Sequence, residues 1–211
     1  EMERAQQRPA AYLAENHRLT TLTQEVAQIT RWYELLGEAL PALGMTPAKA
    51  AALAEDHTYN VAGNYTLLPG VREMLESLAR QGYALGVISD TWPSVELQLP
   101  AYGIDHLLDA RTFSFALGAF KPHASLYRDA LEQLGLPGSA CWFVDDRPCN
   151  LVGAEQAGMR GVQSLAEPGA RADGRFPAIK APTELPDLLA GKSATDAWAA
   201  YQVTLTGKDL P

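Results

Sequence analysis

Two adjacent carboxylates, Asp145 and Asp146, are the first residues of this sequence whose types and spacing suggest chemistry. They directly follow a short apolar run, residues 141–144. Such a run is typical of a strand buried on both faces of a parallel sheet, and the carboxyl ends of such strands form the edge where α/β proteins bind ligands. Paired acids at that edge favour a cation site. The alternative is that one acid merely caps the helix that follows.

Two further positions carry polar side chains where a buried sheet has no packing reason for them. Ser89 and Asp90 end the apolar segment 83–88, and Lys121 lies in the loop 118–122. Taken singly, Ser89 could cap the next helix and Lys121 could be an ordinary solvated lysine. Together with the acid pair, they are what phosphoryl chemistry requires. A hydroxyl and a lysine hold phosphoryl oxygens, and carboxylates hold the Mg²⁺ that offsets their charge.

The first third of the chain, residues 1–66, has the pattern of helices alone. From Thr23 onward, apolar residues recur at three- and four-residue spacings, which predicts an amphipathic helix. Its expected inner face consists of Val26, Ile29, Tyr33, Leu36 and Leu40. Thr21 with Gln24 suggests a capping box for this helix, and Thr46 before Pro47 suggests the start of the next. The aromatic residues here are expected to pack in the core.

After Leu68 the pattern changes to alternating helices and strands. Helices are expected after Gly70, near 95–102, at 126–134 and up to Gly158, and strands at 83–88, 110–115, 141–144 and 161–164. This alternation with short loops predicts an α/β fold with a parallel sheet and helices on both faces. A last helical turn is expected at 186–190. In the tail 191–211, Tyr201, Val203 and Leu205 alternate as in a strand, but nothing in the sequence fixes their place.

Composition narrows the function further. The formal net charge is −8 and no Lys/Arg cluster is present, which argues against a nucleic-acid partner. With no apolar run of about 18 residues and no basic-then-apolar leader, we expect a cytoplasmic protein that binds no membrane. Cys141 and Cys149 suggest neither a zinc site nor a required disulfide.

The order and spacing of these motifs resemble the haloacid dehalogenase-like (HAD) superfamily. The second motif of that family is a strand ending in Ser or Thr, here V-I-S ending at Ser89. The third motif is a lysine, here Lys121 in F-K-P, and the fourth is an acid pair after a strand, here V-D-D ending at Asp146. The resemblance covers about residues 15–190. Its closest form is the phosphatase-like N-terminal domain of soluble epoxide hydrolases, because of S-D-T-W from Ser89 and the Asn150 that follows the acid pair.

This resemblance implies a fold, a cofactor and a set of roles. The fold would be a HAD-like Rossmannoid three-layer α/β core at 67–190, with a helical cap at 1–66 and a C-terminal tail at 191–211. The cofactor would be Mg²⁺, bound directly by Asp146 and bound or oriented through water by Asp145. Ser89 would donate to the phosphoryl group of a small phosphate ester, and Lys121 would neutralise its charge. Substrate binding would also involve Asp90 and Asn150.

The identity of the substrate and the oligomeric state, a homodimer included, are not predicted by the sequence. In this family cap residues choose the substrate. The aromatic and amide side chains of the cap that could line a cavity are Trp32, Tyr59, Asn60, Asn64 and Tyr65.

The sequence departs from the family pattern in one respect. The first motif, D-x-D after the first strand, supplies the aspartate nucleophile in the family, and this chain contains no matching segment. Its absence would leave two neighbouring strands with unpaired backbone groups. The first explanation is that an upstream segment carries the motif. The second is that the tail strand or another chain fills the gap, and the third is a rearranged sheet with a dead site.

Two other functions remain as alternatives. A 2-haloacid dehalogenase uses a similar aspartate without a metal, but the pair Asp145 and Asp146 favours the phosphatase. The other alternative is a non-catalytic scaffold, or a truncated fragment, that keeps the fold.

Overall fold

The computed structural model describes residues 2–60 and 66–191 of the 211-residue chain. The helices, in chain order, are α1 (Met2–Glu15), α2 (Leu22–Ala39), α3 (Pro47–Tyr59), α4 (Val71–Arg80), α5 (Val95–Ala101), α6 (Ser114–Leu117), α7 (Ala124–Leu134), α8 (Pro148–Gln156) and α9 (Leu185–Leu189). The strands are β1 (Gly86–Ser89), β2 (Ala110–Phe113), β3 (Trp142–Asp145), β4 (Arg160–Ser164) and β5 (Ala178–Ile179). The predicted cavity residues Asn64 and Tyr65 and the predicted tail strand at Tyr201, Val203 and Leu205 lie outside the described residues.

The strands form two sheets. In one, β1 pairs with β2, and in the other the order is β3-β4-β5. The second sheet is parallel, with Val144 opposite Val162 and Ser164 opposite Ile179. Helix α8 connects β3 to β4, which is the crossover that a parallel pair requires. The predicted α/β class and its parallel pairing are confirmed.

Within the described residues, β1 has a strand neighbour on one side only, and so does β3. The strands therefore do not form the single sheet that the alternation of the sequence predicts. Backbone N–H and C=O groups on such an edge are not satisfied by a ladder, and each costs free energy if it is buried without a partner.

Local sequence signals set most helix ends as predicted. The Thr21 hydroxyl accepts from the Gln24 N–H at the start of α2, and the Thr46 hydroxyl accepts from the Lys49 N–H at the start of α3. The Gln24 side chain completes the first cap differently from the expected box, because it accepts from the Thr20 N–H at 2.8 Å. Helix α7 ends at Gly135, whose φ of +64° is the left-handed conformation that glycine adopts without strain.

Two predicted strands are shorter than expected. The first begins at Gly86 and not at residue 83, because the backbone N–H of Leu85 donates to the Asp109 carboxylate at 2.9 Å instead of joining a ladder. The second ends at Phe113, and the apolar residues that follow form the short helix α6. The two-residue strand β5 was not predicted, because so short a segment carries no periodic signal.

The buried face of α2 also differs from the predicted stripe. The buried residues of this helix are Glu25, Gln28, Ile29 and Leu35. The predicted inner face contained apolar residues only. It left out Glu25 and Gln28, because polar side chains are expected to face solvent. The structure buries both because partners from other segments satisfy their hydrogen bonds.

The chain divides into two compact units. The first contains Glu1–Thr66, Ile88–His106 and Thr112–Phe120, and the second contains Leu67–Val87, Leu107–Arg111 and Lys121–Pro211. In the second unit, the apolar core includes Val162 of β4, Ile179 of β5 and Leu188 of α9. The first unit instead buries several polar side chains, among them those of α2. None of the described helices is long and apolar enough to serve as a membrane span.

Candidate functional site

Lys121 and Asp145 form an ion pair in the second unit. The Lys121 Nζ lies 2.7 Å from Asp145 Oδ2, and the two side chains are 13% and 4% exposed. Asp145 is the last residue of β3, and Lys121 directly precedes the cis peptide bond to Pro122. A carboxylate so close to an ammonium in a mostly buried position fixes the lysine side chain in place.

The second oxygen of Asp145 is bound to the start of α8. Asp145 Oδ1 accepts from the Arg147 backbone N–H and from Asn150 Nδ2, both at 2.9 Å. Asn150 is only 1% exposed. Asp145 therefore joins the end of β3, the start of α8 and Lys121, but it does not take the capping role that the sequence offered as the alternative, because the N-cap of α8 is Arg147 and has no side-chain cap.

Tyr127 of α7 extends this arrangement. Its hydroxyl donates to the backbone carbonyl of Asn150 at 2.8 Å, and its ring meets the ring of Phe143 edge-on at 5.4 Å between centroids. Tyr127 is completely buried. The tyrosine thus holds the first turn of α8 against α7, which in turn fixes the amide that contacts Asp145.

Asp146 differs from Asp145 because its side chain is exposed. Its backbone carbonyl accepts from Gln163 Nε2 at 3.4 Å. Gln163, which is 3% exposed, also accepts from the Asp173 N–H and donates to the Arg171 carbonyl. Buried Gln163 therefore positions the backbone that presents the Asp146 carboxylate to solvent.

The two acids fit a magnesium ion unequally. Oδ1 of Asp145 already accepts two hydrogen bonds and Oδ2 lies against an ammonium, so a cation at this carboxylate would compete with Lys121. Asp146 offers a hard oxygen donor, the type that Mg²⁺ prefers. Among the described residues, no group of three His, Cys, Asp or Glu side chains is close enough to hold a metal ion. Water and substrate oxygens would have to complete the six ligands of Mg²⁺.

Ser89 and Asp90 belong to the first unit, where both are partly buried. Ser89 is the last residue of β1, and the loop that follows it is bound by buried side chains. The Thr91 N–H donates to the Ser114 hydroxyl at 2.8 Å, and the Ser94 N–H donates to the Glu25 carboxylate at 2.7 Å. The structure thus brings Lys121, Asp145 and Asn150 together in one unit and places Ser89 and Asp90 on a fixed loop of the other.

Sequence reasoning missed several residues of both groups. In the first unit they are His17, Glu25, Gln28 and Ser114, and in the second they are Tyr127 and Gln163. Each is a polar residue that the structure buries at 3% exposure or less. A polar residue inside an apolar strand, as Gln163 is, could have been noticed. His17 carried no local signal, because its burial depends on residues nearly a hundred positions away.

His17 has an altered acidity. Burial lowers the pKa of its imidazole below the usual value, and the nearby negative charge of Asp90 partly opposes that effect. The neutral ring is therefore favoured.

The comparisons with known proteins agree with the α/β architecture and with the predicted family. The profile of the haloacid dehalogenase-like hydrolase family matches residues 3–158, and the chain belongs to this family of hydrolases.

Among individual relatives, the chain is 34% identical over 94 residues to a phosphoglycolate phosphatase of Haemophilus influenzae, covering 44% of this chain and 42% of that protein. It is 32% identical over 124 residues to a phosphoglycolate phosphatase of Mannheimia succiniciproducens, covering 56% and 55%. The chain thus spans about half the length of the curated relatives it matches.

Solved structures show the same fold over more of the chain. A 2-haloacid dehalogenase from Pseudomonas syringae aligns over 90% of this chain and 81% of its own, with a TM-score of 0.62 and 24% identity. A HAD phosphatase from Thermococcus onnurineus aligns over 85% and 93%, with a TM-score of 0.56 and 19% identity. At such identities the likeness shows the fold alone, because dehalogenases and phosphatases share this fold.

Proposed function

We propose that the complete protein is a Mg²⁺-dependent phosphatase that acts on a small phosphate ester. The observation that carries this proposal is the lysine that Asp145 fixes, together with the exposed carboxylate of the next residue, Asp146. An ammonium held by the last residue of β3 and a hard-cation ligand on the residue that follows are suited to a phosphoryl group and its counterion. The phosphatase relatives at about a third identity support the same reaction class.

Each side chain has a distinct role in this proposal. Lys121 neutralises a phosphoryl oxygen, and Asp145 and Asn150 hold its ammonium in place. Asp146 contributes an oxygen to Mg²⁺, which supplies further charge neutralisation when bound. Ser89 donates a hydrogen bond to the phosphoryl group, and Asp90 lies beside it on the same loop.

The nucleophile is proposed to be an aspartate of a D-x-D segment that precedes this chain in the complete protein. Its carboxylate oxygen forms a bond to phosphorus while the ester oxygen departs with a proton from a neighbouring acid. Water then cleaves the aspartyl phosphate, which releases phosphate and restores the carboxylate. Among the described strands, β3 pairs only with β4, and this leaves room for a further strand beside β3 in the complete sheet. Residues 1–66 serve as the cap over the core 67–190 in this proposal. Three further statements stay predictions: membership of the epoxide hydrolase subgroup, a cytoplasmic location and a homodimer.

The test compares Asp146→Asn with the wild type in the complete protein. Asn keeps the shape of the side chain but removes the charge that binds the cation. We expect Mg²⁺-dependent hydrolysis of p-nitrophenyl phosphate to fall by at least about a hundredfold, since ligands and donors at developing charge contribute factors of that size. Chelation of the metal should reduce wild-type turnover to the level of the variant.

Asp187→Asn is the matched control, because Asp187 is an exposed aspartate in the first turn of α9 and is not one of the residues assigned to the site. Its turnover should equal that of the wild type. Metal-independent release of halide from a 2-haloacid, with no phosphatase activity, would show the dehalogenase alternative. Unchanged phosphatase activity in Asp146→Asn would refute the assignment of Asp146.

A further inference from the structure

The segment that joins α1 to α2 is bound to the segment that follows β2. The Leu19 N–H donates to the Phe115 carbonyl at 3.0 Å. One residue earlier, a Cβ atom at Gly118 would lie 3.4 Å from the Cβ of Arg18. The imidazole of His17 stacks on the ring of Phe120 at 4.1 Å between centroids. These contacts fix His17 inside the first unit, where it is 2% exposed.

Ser114 binds the loop that follows Ser89 through both backbone groups of one residue. Its hydroxyl oxygen accepts from the Thr91 N–H at 2.8 Å, and its hydroxyl hydrogen is directed to the Thr91 carbonyl at 3.2 Å. Ser114 is completely buried. A single side chain therefore determines where the backbone lies two residues after Ser89.

His17 completes the hydrogen bonding of Ser114. Its Nε2 lies 2.6 Å from the Ser114 hydroxyl oxygen. We assign the hydroxyl hydrogen to the Thr91 carbonyl, and with that assignment Nε2 carries a hydrogen and donates. Nδ1 is then an acceptor, and it has no hydrogen-bond partner among the described residues. Ser114 is not arranged as a nucleophile, since its lone pairs are occupied and no solvent reaches it.

The other side of this loop is bound as well. Trp92 Nε1 donates to the Gln28 side chain at 2.8 Å, and the Trp92 ring meets the His17 ring edge-on at 6.1 Å. Gln28 is held in turn by its hydrogen bond to the Asn16 carbonyl. Removing Ser114 would therefore release the loop near Ser89 and Asp90 while Trp92 stays anchored.

We infer that His17 and Ser114 are positioning residues that set the loop of Ser89 and Asp90 for phosphate binding. The inference rests on the proposed phosphatase function, because it assigns these residues to the binding of the same phosphoryl group. Neither residue touches the substrate. His17 orients the Ser114 hydroxyl, and Ser114 holds Thr91.

The geometric half of the inference is tested by NMR on the complete protein. ¹⁵N shifts of His17 should show the neutral tautomer with hydrogen on Nε2, and hydrogen on Nδ1 would overturn the inference. Ser114→Ala and His17→Ala should each accelerate hydrogen exchange of the Thr91 amide by about tenfold, the effect of one lost hydrogen bond. His17→Gln, whose amide nitrogen can replace the Nε2 donor, should restore slow exchange.

The functional half is tested by inhibition with inorganic phosphate. Ser114→Ala should weaken the binding of phosphate by about tenfold and raise KM more than it lowers kcat, because a displaced binding loop acts on substrate binding first. His17→Ala should follow it and His17→Gln should restore binding. Thr30→Val is the matched control for general destabilisation, since Thr30 is a partly buried hydroxyl of the same unit that donates to the Val26 carbonyl within α2 and not to a residue that holds the loop.

Two results separate the inference from the proposed function. Faster Thr91 exchange with unchanged phosphate affinity in Ser114→Ala would overturn the positioning role while wild-type phosphatase activity stands. Thr30→Val weakening phosphate binding as much as Ser114→Ala would also overturn it. Absence of phosphate binding and turnover in the wild type itself would instead refute the proposed function.

Discussion

Asp145 joins three parts of the second unit through one carboxylate. Its oxygens receive hydrogen bonds from an ammonium, a backbone N–H and a side-chain amide. Hydrogen bonds to a carboxylate are directional, so Asp145 orients all three donors. At the scale of the residue, the chemistry of Lys121 thus depends on an acid that needs no contact with substrate.

The energetic link between Lys121 and Asp145 can be measured by a double-mutant cycle. Asp145→Asn should lower the free energy of unfolding by about 2–4 kcal/mol, because it leaves a mostly buried ammonium without this carboxylate. Adding Lys121→Met should not destabilise the protein further, since this second substitution removes the ammonium that the first substitution leaves without its carboxylate. Urea unfolding of the four proteins gives the coupling energy.

Additive effects of the two substitutions would contradict this link. Arg175→Met with Glu155→Gln is a matched control pair, because that ion pair is exposed at 52% and 38%. Its coupling energy should not exceed about 1 kcal/mol.

At the scale of the element, the position of α8 depends on a close approach to α7. A Cβ atom at Gly153 would lie 2.8 Å from both Pro122 Cβ and Tyr127 Cε2. Glycine is therefore required in the middle of this helix despite its low helix propensity. The contact brings the first turn of α8, with Asn150, to the loop that begins at Lys121.

We expect Gly153→Ala to reduce both stability and activity. The added methyl group must displace Tyr127 or the cis-linked Pro122, which costs about 1–3 kcal/mol as overpacking does elsewhere. The shift would also move Asn150 relative to Asp145 and thus lower kcat of the complete protein. Thermal unfolding and steady-state kinetics check both effects. Gln156→Ala, at an exposed position of the same helix, should change neither, and a Gly153→Ala variant with wild-type melting would disprove the close contact.

Sequence patterns predicted the positions of helices and strands better than the long-range contacts of their side chains. The strand before Asp145 and the cap at Thr46 follow from local residue order, and both are confirmed. The buried face of α2 does not follow, because burial of Glu25 is compensated by the Ser94 N–H, 69 positions away. The site shows the same division. Lys121, Asp145 and Asn150 were recognisable by type, whereas the tautomer of His17 depends on Ser114, which no local pattern connects to it.

At the scale of the whole molecule, the question is whether the complete protein contains a working site. The phosphatase proposal requires a site that binds Mg²⁺ and a phosphoryl group together, whereas a scaffold with the same fold requires neither. Ligand binding to the folded state raises the melting temperature, and this gives a test that needs no turnover.

Mg²⁺ with a phosphate mimic such as beryllium fluoride should raise the melting temperature of the complete protein. At about a hundred times the dissociation constant the stabilisation is about 2.7 kcal/mol, which for a chain of this size corresponds to about 5–10 °C. The two ligands together should shift melting by more than the sum of their separate effects, because each neutralises the charge that opposes the other. Asp146→Asn should abolish the part that depends on Mg²⁺, and Asp187→Asn should retain it. A folded wild-type protein whose melting does not respond to either ligand would favour the scaffold, since a ligand that binds only the folded state raises the melting temperature at concentrations above its dissociation constant.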